Sequence, residues 1–399
     1  MKNKILVFSD HYLPSYDGSA KTLFGIIKLL SEENDFYIVT RDRNYIVKED
    51  TSCLNIKCND DWILVECSNV LYLASNEIKL HRMYNIIKAQ RWDKIYLNSF
   101  FSKEFSIYII LLVKLMRNKI PILLSPKGVF HPGTLSSKGI FHPGTLLIKS
   151  IKKHVYIWFA KLFRLYKNVI WHCTDNFELL YVRRIFGESI KYKIARDPVL
   201  VTGHPPPCLI NKESGMLRVL FLSRISSKKN LNICLNVFGK LEDNLKRNIV
   251  FDIFGPISTN EDRSYWNFCQ SLISLIPKNI RIRYCGEIAH KLVYDTLSKY
   301  HLLFLPTSGE NFCHVVFESF LMGRPVLIGN DTPWRNLMTK ELGADIDPYD
   351  VDSFVREINR FINMNQSDFT RISKKCYDYA VSISNEDEQK EVIKKLFIL

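Results

Sequence analysis

The sequence predicts an α/β protein of two doubly wound, Rossmann-like halves, and three observations carry that prediction. Short β-like runs alternate with helix-length stretches along the chain, the pattern of parallel sheets covered by helices on both faces. The alternation pauses at DPVLVTGHPPPCLINKESG (197–215), which holds four of the fifteen prolines, and restarts at LRVLFLS (217–223). At 399 residues the chain is long for one hydrophobic core. The expected organisation is an amino-terminal domain over 1–197, a linker over 198–215 and a carboxyl-terminal domain over 216–399. A cleft is expected between the domains, with the last helix packing back on the first.

In the first half, KILVFS (4–9), FYIVT (36–40), WILVEC (62–67), KIYLN (94–98), PILLS (121–125) and VIWHC (169–173) read as strands. Each is a short apolar run rich in β-branched or aromatic residues, as strands buried on both faces require. Helical stretches lie at 19–31, 103–117, 147–167 and 175–186. In the second half the strands are LRVLFLS (217–223), IVFDIF (249–254), IRIRYC (280–285), LLFLP (302–306) and PVLIG (325–329). In open sheets of this kind ligands sit at the carboxyl ends of the strands, so chemistry is expected there.

Composition is that of a globular protein, 47% hydrophobic and 24% charged. The apolar run at 107–116 is broken by Lys114 and is too short to span a bilayer, and residues 1–9 read as a first strand rather than a signal segment. Ten scattered cysteines, with no CxxC pair and no Cys/His metal spacing, suit reduced thiols in the cytoplasm. The net charge of +14 is concentrated: residues 101–170 hold 12 basic residues and one acid, Glu104. Such an excess asks for an anionic partner, a nucleic acid or a membrane surface.

Two constellations follow strands. After LLFLP comes TSGENFCHVVFES, in which Glu310 ends a loop and Glu318 lies within the helix that HVVFESFLMG starts. A helix opening near Cys313 points free amides outward, an anion site, and a carboxylate at Glu318 suits a ribose diol. The alternative is two solvated glutamates flanking a helix start. After LRVLFLS comes RISSKKN, where Arg224 and Lys229 are two cations five residues apart, suited to a diphosphate leaving group. The alternative there is a basic turn facing solvent. Gly18, in SDHYLPSYDGSAKTL, offers close backbone approach before the first helix.

With SRISSKKN (223–230), GENFCHVVFES (309–319) and GRPVLIGNDTPWRNL (323–337) in place, the chain resembles the family-four retaining glycosyltransferases of the GT-B fold. NSFFSKEFSI (98–107), SPKG (125–128) and WHCTDNFE (171–178) resemble the branch that builds bacterial surface polysaccharides such as O-antigen, lipopolysaccharide and capsule. The resemblance covers nearly the whole chain. It implies that Arg224 and Lys229 hold the donor diphosphate, that Glu318 binds the ribose and that Glu310 contacts the donor sugar. Amides of Asn311, Phe312, Cys313 and His314 would assist, and the loop of Gly18 would close over the phosphates. It also implies a metal-independent, cofactor-free front-face displacement, with a nucleotide sugar as substrate. Where the family usually has glycine, this chain has Cys313.

From Leu147 the chain runs LIKSIKKHVYIWFAKLFRLYK. On a helical wheel Lys149, Lys152, Lys153, Arg164 and Lys167 fall within about 120°, opposite Leu147, Ile148, Ile151, Val155, Trp158, Leu162 and Leu165. Either the apolar side docks and the basic side is simply wet, or the basic side engages anionic lipid, which suits a lipid-linked acceptor. Nucleic acid is not expected, because no nucleic-acid motif accompanies the charge. Just before this helix KGVFHPGTL (127–135) recurs as KGIFHPGTL (138–146), reading as a tandem insertion. Lys127 and Gly128 of the first copy keep the position after the strand, with His131 as a candidate acceptor contact.

The expectation is therefore a cytoplasmic retaining glycosyltransferase, peripheral on the inner face of the cytoplasmic membrane. It would move a sugar from a nucleotide sugar to a glycan or polyprenyl-diphosphate-linked acceptor and bind the membrane through residues 147–167. Two rivals stay open: a nucleotide-sugar epimerase or hydrolase on the same fold, and an inactive sugar-nucleotide-binding subunit of a polysaccharide assembly complex.

Overall fold

The structure, a computed structural model, describes residues 2–14, 18–42, 61–117, 119–131, 143–201, 210–241 and 248–398, with backbone alone for 143–150. Residues 202–209 of the expected linker and 132–142 of the repeat lie outside the described residues. The chain forms two compact units. One takes the chain up to Leu200 together with its closing segment from Glu386, and the other takes Val201–Asn385.

Among the described residues the first unit is built on an eight-stranded sheet in the order β3-β4-β2-β1-β5-β6-β7-β8. Its strands are β1 (Asn3–Phe8), β2 (Asn34–Arg41), β3 (Ile63–Val65), β4 (Ser68–Leu73), β5 (Lys94–Leu97), β6 (Ile122–Leu124), β7 (Ile170–Cys173) and β8 (Lys191–Ile194). All pairings are parallel except β3 with β4. The stretch WILVEC, expected to be one strand, instead turns over. Glu66 adopts a left-handed φ of 52°, Val65 pairs with Ser68, and the chain returns antiparallel as β4. β8 was invisible to an apolar pattern because KYKI is a largely exposed strand at the sheet edge.

Helices cover both faces of this sheet: α1 (Gly18–Leu30), α2 (Leu80–Lys88), α3 (Tyr108–Leu115), α4 (Pro143–Leu162), α5 (Asn176–Phe186) and, from the end of the chain, a further helix at Glu386–Phe397. α3 is preceded by a π turn at Lys103–Ile107, where Ser102 Oγ accepts from the Phe105 amide. α5 is capped by Asp175, whose carboxylate accepts from the Glu178 amide at 2.7 Å, and it stops at Gly187 with φ 92°. The closing helix buries Ile393, Leu396 and Phe397 against Ile5, Phe36 and Ile38, with Phe36 and Phe397 edge to face at 5.9 Å.

The helix expected at 147–167 differs in two ways. It ends at Leu162, because Arg164 takes a left-handed φ of 50°, so Arg164, Leu165 and Lys167 lie beyond it. Its docked side is also different. Ile157 and Ala160 are buried and Lys153 lies over the Phe101 ring, whereas Ile151, Val155, Trp158 and Leu162, expected to dock, are exposed. The core of the unit lies on one side of the helix and takes Tyr156, Ile157 and Ala160 there.

Among the described residues the second unit holds a six-stranded, all-parallel sheet in the order β11-β10-β9-β12-β13-β14. The strands are β9 (Met216–Leu222), β10 (Asn248–Phe254), β11 (Ile280–Tyr284), β12 (Leu302–Leu305), β13 (Val326–Gly329) and β14 (Gly343–Ile346). Its helices are α6 (Leu231–Gly239), α7 (Asn260–Ile273), α8 (Val293–Leu297), α9 (His314–Leu321), α10 (Val351–Asn363) and α11 (Gln366–Ile383), which makes the closing helix α12. Thr259, Asp350 and Asn365 cap α7, α10 and α11 through their side-chain oxygens. Residues 210–215 pack onto this unit: Lys212 is buried and donates to the carbonyls of Glu213 and Met364, both at 2.8 Å.

Candidate active site

Three loops at the carboxyl ends of β9, β12 and β13 converge in the second unit. Two glycines permit the approach. A Cβ on Gly255 (φ 147°), after β10, would lie 1.8 Å from the Ser223 carbonyl oxygen, and one on Gly329 would lie 2.0 Å from that of Thr307. Beyond Ser223, Arg224 is exposed. A short turn at Ser227–Lys229 then ends at Asn230, left-handed at φ 55°. The Asn230 amide donates to the Pro306 carbonyl at 2.8 Å and to Ser308 Oγ at 2.6 Å, tying the loop after β9 to the loop after β12. The Ser308 amide returns a bond to the Lys228 carbonyl at 3.0 Å.

This lacing brings Lys229 onto Glu310. Lys229 Nζ donates to Glu310 Oε1 at 2.5 Å, and Thr307 Oγ1 donates to the same oxygen at 2.7 Å. The two side chains are only 15% and 14% exposed, so little water screens them. Burial by itself pulls the Lys229 pKa down and the Glu310 pKa up. The opposite charges outweigh it, leaving Lys229 above and Glu310 below its ordinary range. The backbone of Glu310 is fixed as well, its amide donating to the Asp331 carbonyl at 3.1 Å.

Cys313 caps the start of α9 in a left-handed conformation, φ 65°, the backbone that a glycine would adopt freely. Burial pushes its thiol pKa up, and Glu310, Lys229 and Glu318 all lie within electrostatic reach of it. Phe312 points inward, buried against Trp334 at 5.1 Å, and the Trp334 indole N–H donates to its carbonyl. The His314 ring lies 4.8 Å from that of Phe312, and Asn311 is half-buried. Glu318 lies further along α9, nearly buried, with Oε1 3.4 Å from Nε2 of His290. Arg224, Lys229, Glu310 and Cys313 thus form one neighbourhood, with Glu318 beside it. Asn230, Thr307, His290 and the two glycines were missed by sequence reasoning. The signal for Asn230 was its place at the end of SKKN, where Asn tolerates the left-handed turn.

The residues expected on the acceptor side lie in the first unit. Lys127 (φ 55°) donates to Asp197 Oδ1 at 3.2 Å, and Asp197 Oδ2 accepts from Thr22 at 3.0 Å. The Gly128 amide donates to Glu178 Oε1 at 2.6 Å, while Oε2 accepts from the Thr174 amide at 2.8 Å and its hydroxyl at 3.0 Å. Burial pushes the Glu178 pKa up to about 7 despite those donors. Beneath them His172 bridges the Tyr96 hydroxyl and the Ala195 carbonyl, both at 3.0 Å, and burial lowers its pKa to about 4. His131 is buried, its ring 5.0 Å from Tyr181, so it packs rather than projects. Gly18 is exposed at the first position of α1. The motifs SPKG and WHCTDNFE therefore meet as one buried polar network at the ends of β6, β7 and β8.

Residues 210–380, which contain the whole Lys229–Glu310 neighbourhood, match the family described as Glycosyl transferases group 1. The chain is a glycosyltransferase with the GT-B fold. Solved structures agree on the fold. HepE of Anabaena, in complex with UDP and glucose, superposes with a TM-score of 0.69 at 13% identity, over 98% of each chain. Sucrose-phosphate synthase from Thermosynechococcus elongatus gives 0.67 at 14% identity, over 99% of this chain and 98% of that one. The structure of trehalose-6-phosphate from E. coli bound with UDP-2-fluoro glucose gives 0.68 at 10% identity over 100% of both chains. No curated protein matches the glycosyltransferase in sequence.

Proposed function

We propose that the protein is a retaining, metal-independent glycosyltransferase of surface polysaccharide biosynthesis. It moves a sugar from a nucleotide-sugar donor to a glycan or polyprenyl-diphosphate-linked acceptor at the inner face of the cytoplasmic membrane, which it meets through residues 147–167. The observation that carries the reading is the nearly buried Lys229–Glu310 pair at the strand ends of the group 1 domain. A fixed ammonium with exposed Arg224 close by suits the two charges of a diphosphate leaving group, which a preorganised cation stabilises as the glycosidic bond breaks. Glu310 holds that ammonium in place and offers its second oxygen to a sugar hydroxyl. Glu318, with His290 beside it, suits a ribose diol. In a front-face displacement the departing phosphate takes the acceptor proton, so no protein nucleophile is required. The solved GT-B relatives carrying UDP ligands support a uridine donor.

The test is a panel of nucleotide sugars by thermal shift, followed by transfer to lipid-linked and free glycan acceptors with the anomeric configuration of the product read by NMR. A donor that raises the melting temperature and yields a retained linkage is the expected result. Inversion would overturn the front-face route. Donor cleavage without an acceptor would favour the hydrolase, and binding without turnover the inactive subunit.

A further inference from the structure

Helix α4 presents bulky apolar side chains to solvent. Ile151, Val155, Trp158, Phe159 and Leu162 lie within about 100° of arc on the helix and are 51%, 58%, 64%, 43% and 59% exposed. The stripe continues past the helix end with Phe163, whose ring is 4.3 Å from that of Phe159. Leu115, at the end of α3, adds to it, because Lys114 Nζ donates to the Phe163 carbonyl at 2.5 Å and holds the two helix ends together. The opposite side of α4 already has its partners: Ile157 and Ala160 are buried, and the Tyr156 hydroxyl meets that of Tyr166 at 2.6 Å.

The rim of this stripe is cationic. Lys152 and Lys161, both exposed, flank it on the two sides of the helix, and Lys114, Arg117 and Lys119 are exposed on the α3 side. From Phe105 to Thr174 the sequence has no aspartate or glutamate. A second copy of the same face would bring like charges together, whereas an anionic bilayer satisfies both parts at once. Apolar side chains enter the acyl boundary, the Trp158 indole sits at the headgroups, and lysine stems reach back to lipid phosphates. No described helix is long and apolar enough to cross a membrane, so the helix would lie in the interface plane.

Building on the reading that this segment meets an anionic membrane, we infer that α4 binds by inserting its exposed apolar face into the lipid interface, with the lysines as its rim rather than its contact face. The full chain is sedimented with phosphatidylcholine vesicles and with vesicles containing phosphatidylglycerol, at low and high salt. Binding to the anionic vesicles should survive in part at high salt, where purely electrostatic contacts are screened. Replacing three exposed residues together, Trp158→Ser, Phe159→Ser and Leu162→Ser, should weaken that residual binding at least ~10-fold while the melting temperature stays that of the parent. As a second measurement on the parent itself, lipids brominated on the acyl chain should quench tryptophan fluorescence, and Trp158→Phe should remove most of that quenching. Complete release by salt without quenching would overturn insertion yet leave the electrostatic membrane reading standing. A triple variant that binds like the parent would overturn it too, as would a solution dimer that the triple variant converts to monomer. Binding to neither vesicle would remove both membrane readings, and sugar transfer to a soluble acceptor, measured separately, would still stand.

Discussion

One oxygen of Glu310 is held by the Lys229 ammonium and the Thr307 hydroxyl, so a change at Glu310 acts on charge more than on shape. Glu310→Gln keeps the volume and one acceptor oxygen but removes the charge that anchors Lys229. Turnover with a verified donor should fall at least ~10²-fold, the scale of one preorganised electrostatic contact, with far-UV circular dichroism unchanged. Equal turnover would take Glu310 out of the mechanism. Cys313 is a separate residue-scale case. A non-glycine residue in the left-handed region costs roughly 1–2 kcal/mol, and glycine returns roughly 0.5–1 kcal/mol of that as extra freedom of the unfolded chain. Cys313→Gly should therefore stabilise by up to about 1 kcal/mol, raising the melting temperature by no more than roughly 2–4 °C. Donor affinity or turnover should rise with it. A lower melting temperature would mean that the buried thiol contributes more packing than its backbone costs.

At the scale of elements, α5 matters because it carries the carboxylate that grips the loop after β6. The folded pKa of Glu178 is raised to about 7, above its ordinary value, so its contribution to stability is fully present below about pH 4.5 and is lost as pH rises through about 7. His172, lowered to about 4, runs the other way: its contribution is present above about pH 6.5 and lost as pH falls through about 4. Glu178→Gln removes the first and leaves the second. The melting temperature of the variant minus that of the parent should therefore increase between about pH 4.5 and about pH 7. A difference that is flat across that window would refute a buried, late-titrating Glu178. This network was only half legible beforehand. SPKG and WHCTDNFE stood out as motifs, but that Gly128 and Glu178 meet depends on β6 and β7 being neighbours, which no local pattern states.

For the molecule as a whole, the repeat tests how much of the chain the fold needs. In the first copy Lys127 and Gly128 are engaged by Asp197 and Glu178, and the second copy leads into α4, which opens at Pro143. Deleting Lys127–Ser137 splices Pro126 to Lys138, so that Lys138 and Gly139 take the two engaged positions. Lengthening or shortening a surface loop changes closure entropy by only ~0.6 kcal/mol per doubling. The deletion should melt within a few degrees of the parent and keep its donor affinity, since Lys229, Glu310 and Glu318 belong to the other unit. Loss of folding or of donor binding would show that the extra copy is structurally required.

The sequence by itself determined the two doubly wound halves, most strand positions, and the placing of Lys229 and Glu310 after strands. Those follow from local periodicity and from where charged residues interrupt apolar runs. Only the tertiary structure decided that Lys229 and Glu310, 81 residues apart, share a nearly buried ion pair, and that Lys127 is taken by Asp197, 70 residues on. It also decided the reversal at Glu66, because a hairpin and a single strand share one apolar alternation until a left-handed residue separates them. The face of α4 is the clearest instance. A helical wheel sorts residues by type, but which side is buried is chosen by the shape of the core it meets, and here that core took Ile157 and Ala160 and left Trp158 outside.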